Sequence, residues 1–285
     1  MKTLYLLLFL HCLNNNFFAQ DKPAYYIYNS LGKKTSFKNL REKALKSDCI
    51  LFGEFHDNPI THWLQFDLTN ELYCPNLVLG FEMFESDQQT VLDAYIAGKL
   101  TEKQFQDSCR LWPNYATDYK PLIELAKEKK IPCIASNVKR KYASLLFKKG
   151  RSALDTISEV EKKLFAPLDF KIDSTLSQYR EIRKMGGHGM NGNMMEAQAF
   201  KDATMAMNIV KYLNLNFQII HFNGAFHSDY YQGILWYIQQ TEVGKKKKVV
   251  TISTVSQKDI SKLEKDHFGK ADFIICVPET MTKTH

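Results

Sequence analysis

Cys49-Ile-Leu-Phe-Gly-Glu-Phe-His-Asp57 is a run of strand-forming residues that stops at Gly53 and at once presents a carboxylate and an imidazole. The same order recurs in Phe217-Gln-Ile-Ile-His-Phe-Asn-Gly-Ala-Phe-His-Ser-Asp229, so both runs close on Gly-x-Phe-His, with His56 and His227 as the final residues. A short apolar run that ends this way reads as a buried parallel strand, and the carboxyl end of such a strand is where open α/β sheets place their ligands. Two such ends imply one shared site. Glycine lets the chain turn sharply or approach a ligand closely, and the imidazole that follows can bind metal, carry a proton or hydrogen-bond.

Working outward, six apolar runs read as strands, at 49–53, 77–82, 131–136, 217–223, 248–254 and 272–277. Segments with helical periodicity lie between most of them, which predicts an α/β fold, a mostly parallel sheet flanked by helices. Asn58-Pro59 has the form of an N-cap and first-turn proline opening a helix with His62, Gln65, Phe66 and Thr69 on one side. Ser86-Asp-Gln-Gln89 and Thr101-Glu-Lys-Gln104 read as capping boxes, and Pro121 fits the first turn of another helix. Residues 139–192 break the rhythm with charged helical sequence and a glycine-rich exit, Gly186-Gly187-His188-Gly189, which predicts a small inserted helical subdomain. It divides the α/β domain into 21–138 and 193–285. The helix expected at about 194–213 carries Gln198, Asp202, Met205 and Ile209 on one stripe. Running antiparallel to the strands, it should bring Gln198 and Asp202 to the edge that holds both histidines.

The chain has 285 residues, 45% of them hydrophobic, enough to fill one large core. Met1-Lys2-Thr3 and the apolar residues from Leu4 to Leu10 have the form of a secretory signal, so residues 1–20 are set apart from the fold. The mature protein is therefore expected to be exported, periplasmic or associated with an outer membrane. His11 before Cys12 fits a lipobox poorly, which argues against a lipoprotein. No later stretch reaches the roughly 18 unbroken apolar residues of a membrane span. The net charge is +7 with histidine neutral, and the excess lies in clusters such as Lys245 to Lys248. These read as solvated turns and helix ends without interleaved aromatics, so nucleic acid is not an expected partner. Cys49, Cys74, Cys109, Cys133 and Cys276 show no Cys-x-x-Cys spacing, and buried thiols with at most one disulfide are the simplest account.

The strand ends carry Glu54, His56 and Asp57, then Glu82, Asn137 and His227. With His62, Gln65, Trp112, Tyr119, Gln198 and Asp202 they make a polar cluster with an aromatic wall. No Gly-x-Ser-x-Gly elbow, P-loop or His-Glu-x-x-His helix is present. Glu54, His56, Glu82 and His227 could hold Zn²⁺ or Mn²⁺, or they could form a hydrogen-bonded network that fixes the strand ends. Six of the nine methionines, Met185, Met190, Met194, Met195, Met205 and Met207, fall near Tyr179 and His188. Thioether, phenolate and imidazole ligate haem iron, and flexible methionines adapt to a flat apolar macrocycle. The same residues suit core packing, or Cu(I) held by Met and His.

The run from Phe52 through Gly53-Glu54-Phe55-His56-Asp57-Asn58-Pro59 to Gln65 resembles the opening signature of the ChaN-like haem-binding uptake proteins. That superfamily also includes Tiki/TraB proteins and erythromycin esterases. Further similar segments are Phe81-Glu82-Met83-Phe84 with Gln88, Trp112 with Tyr119 and Pro121, Ala135-Ser136-Asn137, Gly186 to Gly189, Glu196-Ala197-Gln198, and Lys201 to Ala206. The resemblance spans about residues 45 to 240. It implies an exported α/β protein that binds haem through an axial tyrosine, with histidine at the propionates, in a homodimer that brings two haems face to face. Carried over, Tyr179 is the candidate ligand and His188 its partner, with Met190 and Met194 beside them, and an outer-membrane haem receptor is the implied partner. The leading expectation is haem capture without turnover. The alternatives are a metal-dependent hydrolase using Glu54, His56, Glu82 and His227, and a Met/His copper carrier.

Overall fold

The computed structural model describes residues 22–185 and 193–285. The expected signal at 1–20, and with it the segment Gly186–Gly189, His188 and Met190, lie outside the described residues. The strands are β1 (Tyr26–Asn29), β2 (Lys34–Thr35), β3 (Cys49–Glu54), β4 (Leu77–Glu85), β5 (Cys133–Asn137), β6 (Gln218–Gly224), β7 (Val249–Gln257) and β8 (Phe273–Pro278). The helices are α1 (Phe37–Ala44), α2 (Pro59–Glu71), α3 (Gln89–Ile96), α4 (Glu102–Ser108), α5 (Lys120–Lys129), α6 (Arg140–Lys149), α7 (Glu159–Lys162), α8 (Ser177–Met185), α9 (Asn193–Asn214) and α10 (Ile234–Gln239). All strands join one sheet in the order β2-β1-β8-β7-β3-β6-β4-β5. The six strands from β3 to β8 run parallel, as the alternation of apolar runs and helices required.

The antiparallel β1–β2 edge is an addition to the sequence reading. Its strands have four and two residues, too short to show a period. One capping box also moves: Glu85, not Ser86, caps a 3₁₀ turn over Ser86–Gln88, with Gln88 reaching back to its backbone N–H. Asn58 caps α2 through Thr61 N–H at 3.0 Å, and Pro59 occupies the first turn.

Side chains alternate across β3, so Ile50 and Phe52 face one layer while Cys49 and Leu51 face the other. The first layer packs against Leu64 and Leu68 of α2 and Ile123 of α5. The second packs against Met205 and Ile209 of α9 and Ile234 and Ile238 of α10. Burial on both faces explains why the strands read as continuous apolar runs. The helices after β5 seat Tyr142, Leu146 and Phe165 against Phe200 of α9. Cys49, Cys74, Cys109, Cys133 and Cys276 are all free thiols. No helix of the described residues is long and apolar enough to cross a membrane.

The topology also positions the two Gly-x-Phe-His segments. β3 pairs with β6 in a register that sets Glu54 opposite Gly224, and β4 lies on the far side of β6. Glu82 of β4 and, just past the ends of β3 and β6, His56 and His227 therefore meet at one edge.

Candidate functional site

Glu54 is the hub of one half of the site. It is buried, and its Oε1 accepts from His56 Nδ1 at 2.8 Å and from the Tyr119 hydroxyl at 2.5 Å. Its Oε2 accepts from Gln65 of α2, the residue that the helical spacing turned toward this edge. Burial alone would raise this carboxyl, but hydrogen bonds and charge from His56, His62 and Gln65 outweigh it and hold Glu54 below the usual carboxylate range. Because the carboxylate takes the Nδ1 proton, neutral His56 keeps its lone pair on Nε2. The His56 side chain is 40% exposed, and its Nε2 has no protein partner among the described residues. Burial pulls the His56 pKa down, yet Glu54 and then Glu82 raise it above its ordinary value.

The His56 ring is held from both sides. Trp112 meets it edge-on with centroids 4.8 Å apart, and a side-chain carbon on Gly224 would stand 2.9 Å from Nε2. Only glycine lets the ring lie this close to β6. Asn114 donates to the His56 carbonyl at 2.6 Å and to Asp118 at 2.7 Å. His62 completes this shell, with Nδ1 3.0 Å from the Gln65 oxygen and Nε2 3.1 Å from the same carbonyl.

The other half is closed. His227 is buried with Nδ1 2.5 Å from Asp202 and Nε2 3.1 Å from Glu82, so both nitrogens donate to carboxylates. Burial opposes its charge, but Glu82 and Asp202 push its pKa up to about 10. Glu82 also accepts from Gly224 N–H at 2.7 Å. Burial raises Glu82 by itself, whereas His227, His56 and that N–H drive it well below the carboxylate range. Burial lifts Asp202 against the pull of His227 and of the Tyr179 hydroxyl, which donates to it at 2.8 Å. Gln198 lies 2.9 Å from His227 Nδ1, so α9 does bring its polar stripe to this edge.

Between the halves opens a cavity of about 700 Å³. Phe55, Phe226, Pro278 and Met281 give it apolar walls, His56 and His285 supply imidazoles, and Lys270 and Lys283 supply ammonium groups. Segment 279–285 forms one wall: Thr284 N–H donates to the Asp57 carbonyl at 3.0 Å, Thr284 Oγ1 to Asp118 at 2.7 Å, and Lys283 pairs with Asp57 at 2.6 Å.

Several expected residues have other surroundings. Among the described residues no group of three or more His, Cys, Asp or Glu is arranged to hold a metal ion. Of the Glu54, His56, Glu82 and His227 set expected to hold Zn²⁺ or Mn²⁺, Glu54 hydrogen-bonds His56 and Glu82 pairs with His227. Asn137 bonds the Glu82 carbonyl at 3.1 Å and Val138 N–H at 2.9 Å, a strand-end clamp. Tyr179 is 1% exposed, and burial and Asp202 raise its pKa, so in this conformation its oxygen is an enclosed phenol that orients Asp202. Met194 is half-buried against the core and Met205 is fully buried in it. Asn114, Asp118, Lys270 and the 279–285 wall were not foreseen. The i, i+4 spacing of Asn114 and Asp118 ahead of Tyr119 was the one available signal, on a π-helical turn of the kind that often marks functional sites.

A cavity with ionisable groups at the carboxyl ends of parallel strands defines an α/β ligand-binding protein. The chain belongs to the ChaN family of haem-binding uptake proteins, Tiki superfamily, whose model matches residues 40–238. Its fold is similar to the solved structure of cofacial haem binding to ChaN of Campylobacter jejuni, at 20% identity and a TM-score of 0.66, covering 88% of this chain and 96% of that one. It is also similar to a mutant of the erythromycin esterase EreC in its open conformation, at 9% identity and a TM-score of 0.52, covering 90% and 97% respectively. No curated protein matches the sequence.

Proposed function

We propose that this protein is an exported carrier that captures haem and hands it on in iron acquisition. The observation that carries the reading is family membership across residues 40–238, the span that contains both Gly-x-Phe-His strand ends. The lining of the cavity suits the ligand. Its volume of about 700 Å³ is within the range of small-molecule sites, and Phe55, Phe226, Pro278 and Met281 line it together with His56. Haem brings an iron that takes imidazole, thioether or phenolate, and two propionates that ammonium groups can pair.

His56 offers its Nε2 without rearrangement, and Lys270 and Lys283 are the candidates for the propionates. The tyrosine reading assigns the iron to Tyr179, and it requires α8 to leave its seat so that the phenol loses Asp202 as partner. His188 and Met190 belong to that second arrangement. A homodimer with face-to-face haems, in line with the cofacial haem binding of the Campylobacter protein, and an outer-membrane receptor as donor complete the reading. Titrating haem into the purified chain should give a saturable Soret change at one haem per chain. Loss of the shift in His56→Ala assigns the iron to the cavity, while loss in Tyr179→Phe or His188→Ala assigns it to the insertion. No saturable change in the parent chain would remove the proposal.

A further inference from the structure

We propose that a second cavity, between α9, α10 and the insertion, binds the anion of a straight-chain monocarboxylic acid, with Lys211 holding the carboxylate. The cavity measures about 540 Å³, within the roughly 300–1,000 Å³ typical of small-molecule sites. It is separate from the cavity at the strand ends, and the two share no lining residue. α9 forms one side of it through Ala203, Ala206 and Val210, whose three- and four-residue spacing sets them on a common face. Met205 and Ile209 of the same helix fill the space against the sheet, whereas the two alanines leave room. Pro167 and Phe170 of the insertion and Val243 after α10 extend the apolar lining. The Tyr237 hydroxyl donates to the Lys171 carbonyl at 2.7 Å, which ties α10 to the insertion and fixes the width of the groove.

Charge decides which end of a ligand goes where. Among the described residues that line this cavity, Lys211 alone is charged. Its ammonium donates to Asn208 Oδ1 at 2.9 Å, and Asn208 is itself anchored on the Ser136 carbonyl at 2.9 Å, so the cation has a fixed seat. No carboxylate lies within ion-pair distance of it among the described residues, whereas Lys245 and Lys247 nearby in the fold pair with Glu242 and Asp48. Lys211 is exposed as a residue, yet loss of solvent at its ammonium lowers its pKa with no acid to offset the effect. A cation that is short of water and of an acid gains from an anionic partner, and an apolar groove beside it gains from a chain. Lys211 also sits in the last turn of α9, where the helix carries partial negative charge. One ammonium against that background matches a monoanion; a phosphate dianion or the two propionates of haem would leave charge unpaired.

The test is displacement of the fluorescent probe 11-(dansylamino)undecanoate from the purified full chain by decanoate, 1-decanol and acetate. Expected are saturable probe binding at one per chain, displacement by decanoate, none by acetate, and an affinity for decanol at least about 10-fold weaker than for decanoate. Lys211→Met should weaken probe and decanoate by at least about 10-fold and Lys211→Arg should retain both, while Ala206→Leu should fill the groove and abolish probe binding. The Lys211 variants change an exposed side chain and carry the test if Ala206→Leu fails to fold. Absence of saturable binding, equal displacement by decanol and decanoate, or an unchanged affinity in Lys211→Met overturns the proposal. Probe binding that appears only as the chain self-associates in sedimentation assigns this face to a second copy and also overturns it. The haem titration of Lys211→Met should match that of the parent chain, which keeps this test apart from that of the carrier; a Soret change lost in that variant makes the groove the haem seat and overturns the monocarboxylate.

Discussion

His56 and His227 finish the same four-residue pattern on neighbouring strands, yet one ring is 40% exposed with a free nitrogen while the other is buried with both nitrogens committed. What separates them is the number of carboxylates within reach. Glu54 supplies His56 with one acceptor, and the cavity takes the other side of the ring. Glu82 and Asp202 close on His227 from two elements, β4 and α9. A histidine with one partner can still exchange a proton with a ligand, whereas one with two is a fixed cation that ties a helix to a sheet.

The largest test of that contrast is stability. His227→Ala leaves two buried carboxyls without their cation and should cost about 3–5 kcal/mol in denaturant unfolding, against about 1–2 kcal/mol for His56→Ala, which leaves Glu54 its other donors. Equal losses would erase the distinction. Next, Gly224→Ala pushes a methyl to within 2.9 Å of His56 Nε2 and should cost about 1–3 kcal/mol while displacing the ring, seen as a changed His56 imidazole resonance. An unmoved resonance would show that the ring is not packed on β6. Tyr119→Phe removes one donor from Glu54 and should cost about 1 kcal/mol, with the His56 pKa rising as the more basic carboxylate holds its imidazolium more strongly. The smallest expected effect is Asn58→Ala, about 1 kcal/mol or less of helix capping with no change in either imidazole.

The pH dependence sharpens the same comparison. His227 is raised in the folded state to about 10, so its contribution is fully present below its unfolded value near 6.5 and is lost as pH rises through about 10. Glu54 and Glu82 are depressed, so theirs is present above about 4.3 and is lost as pH falls. Unfolding free energies measured across this range should decline at both ends, and His227→Gln should flatten the alkaline decline and, because Glu82 loses its cation, weaken the acid one as well. An alkaline decline that persists in that variant would place its origin elsewhere.

Much of the site could be read from residue order. The two glycine-ended strands, the Asn58 cap and the α9 stripe follow from periods of two and 3.6 residues, and they were enough to bring His56, Gln65, Gln198, Asp202 and His227 to one edge. Tyr179 was legible as a residue near the site, but its hydroxyl bond to Asp202 from the next helix was not. The wall made by 279–285 was hidden because Thr284 meets Asp118 across 166 residues, and no local pattern encodes such a meeting.

The sequence alone determined the α/β class, the strand ends and the family resemblance, because backbone geometry and burial impose short-range periods that a linear chain must display. Only the tertiary structure decided which histidine is open and which is locked, and which carboxylate pairs with which imidazole. Charges and hydrogen bonds act over a few ångströms in space, whatever the separation along the chain.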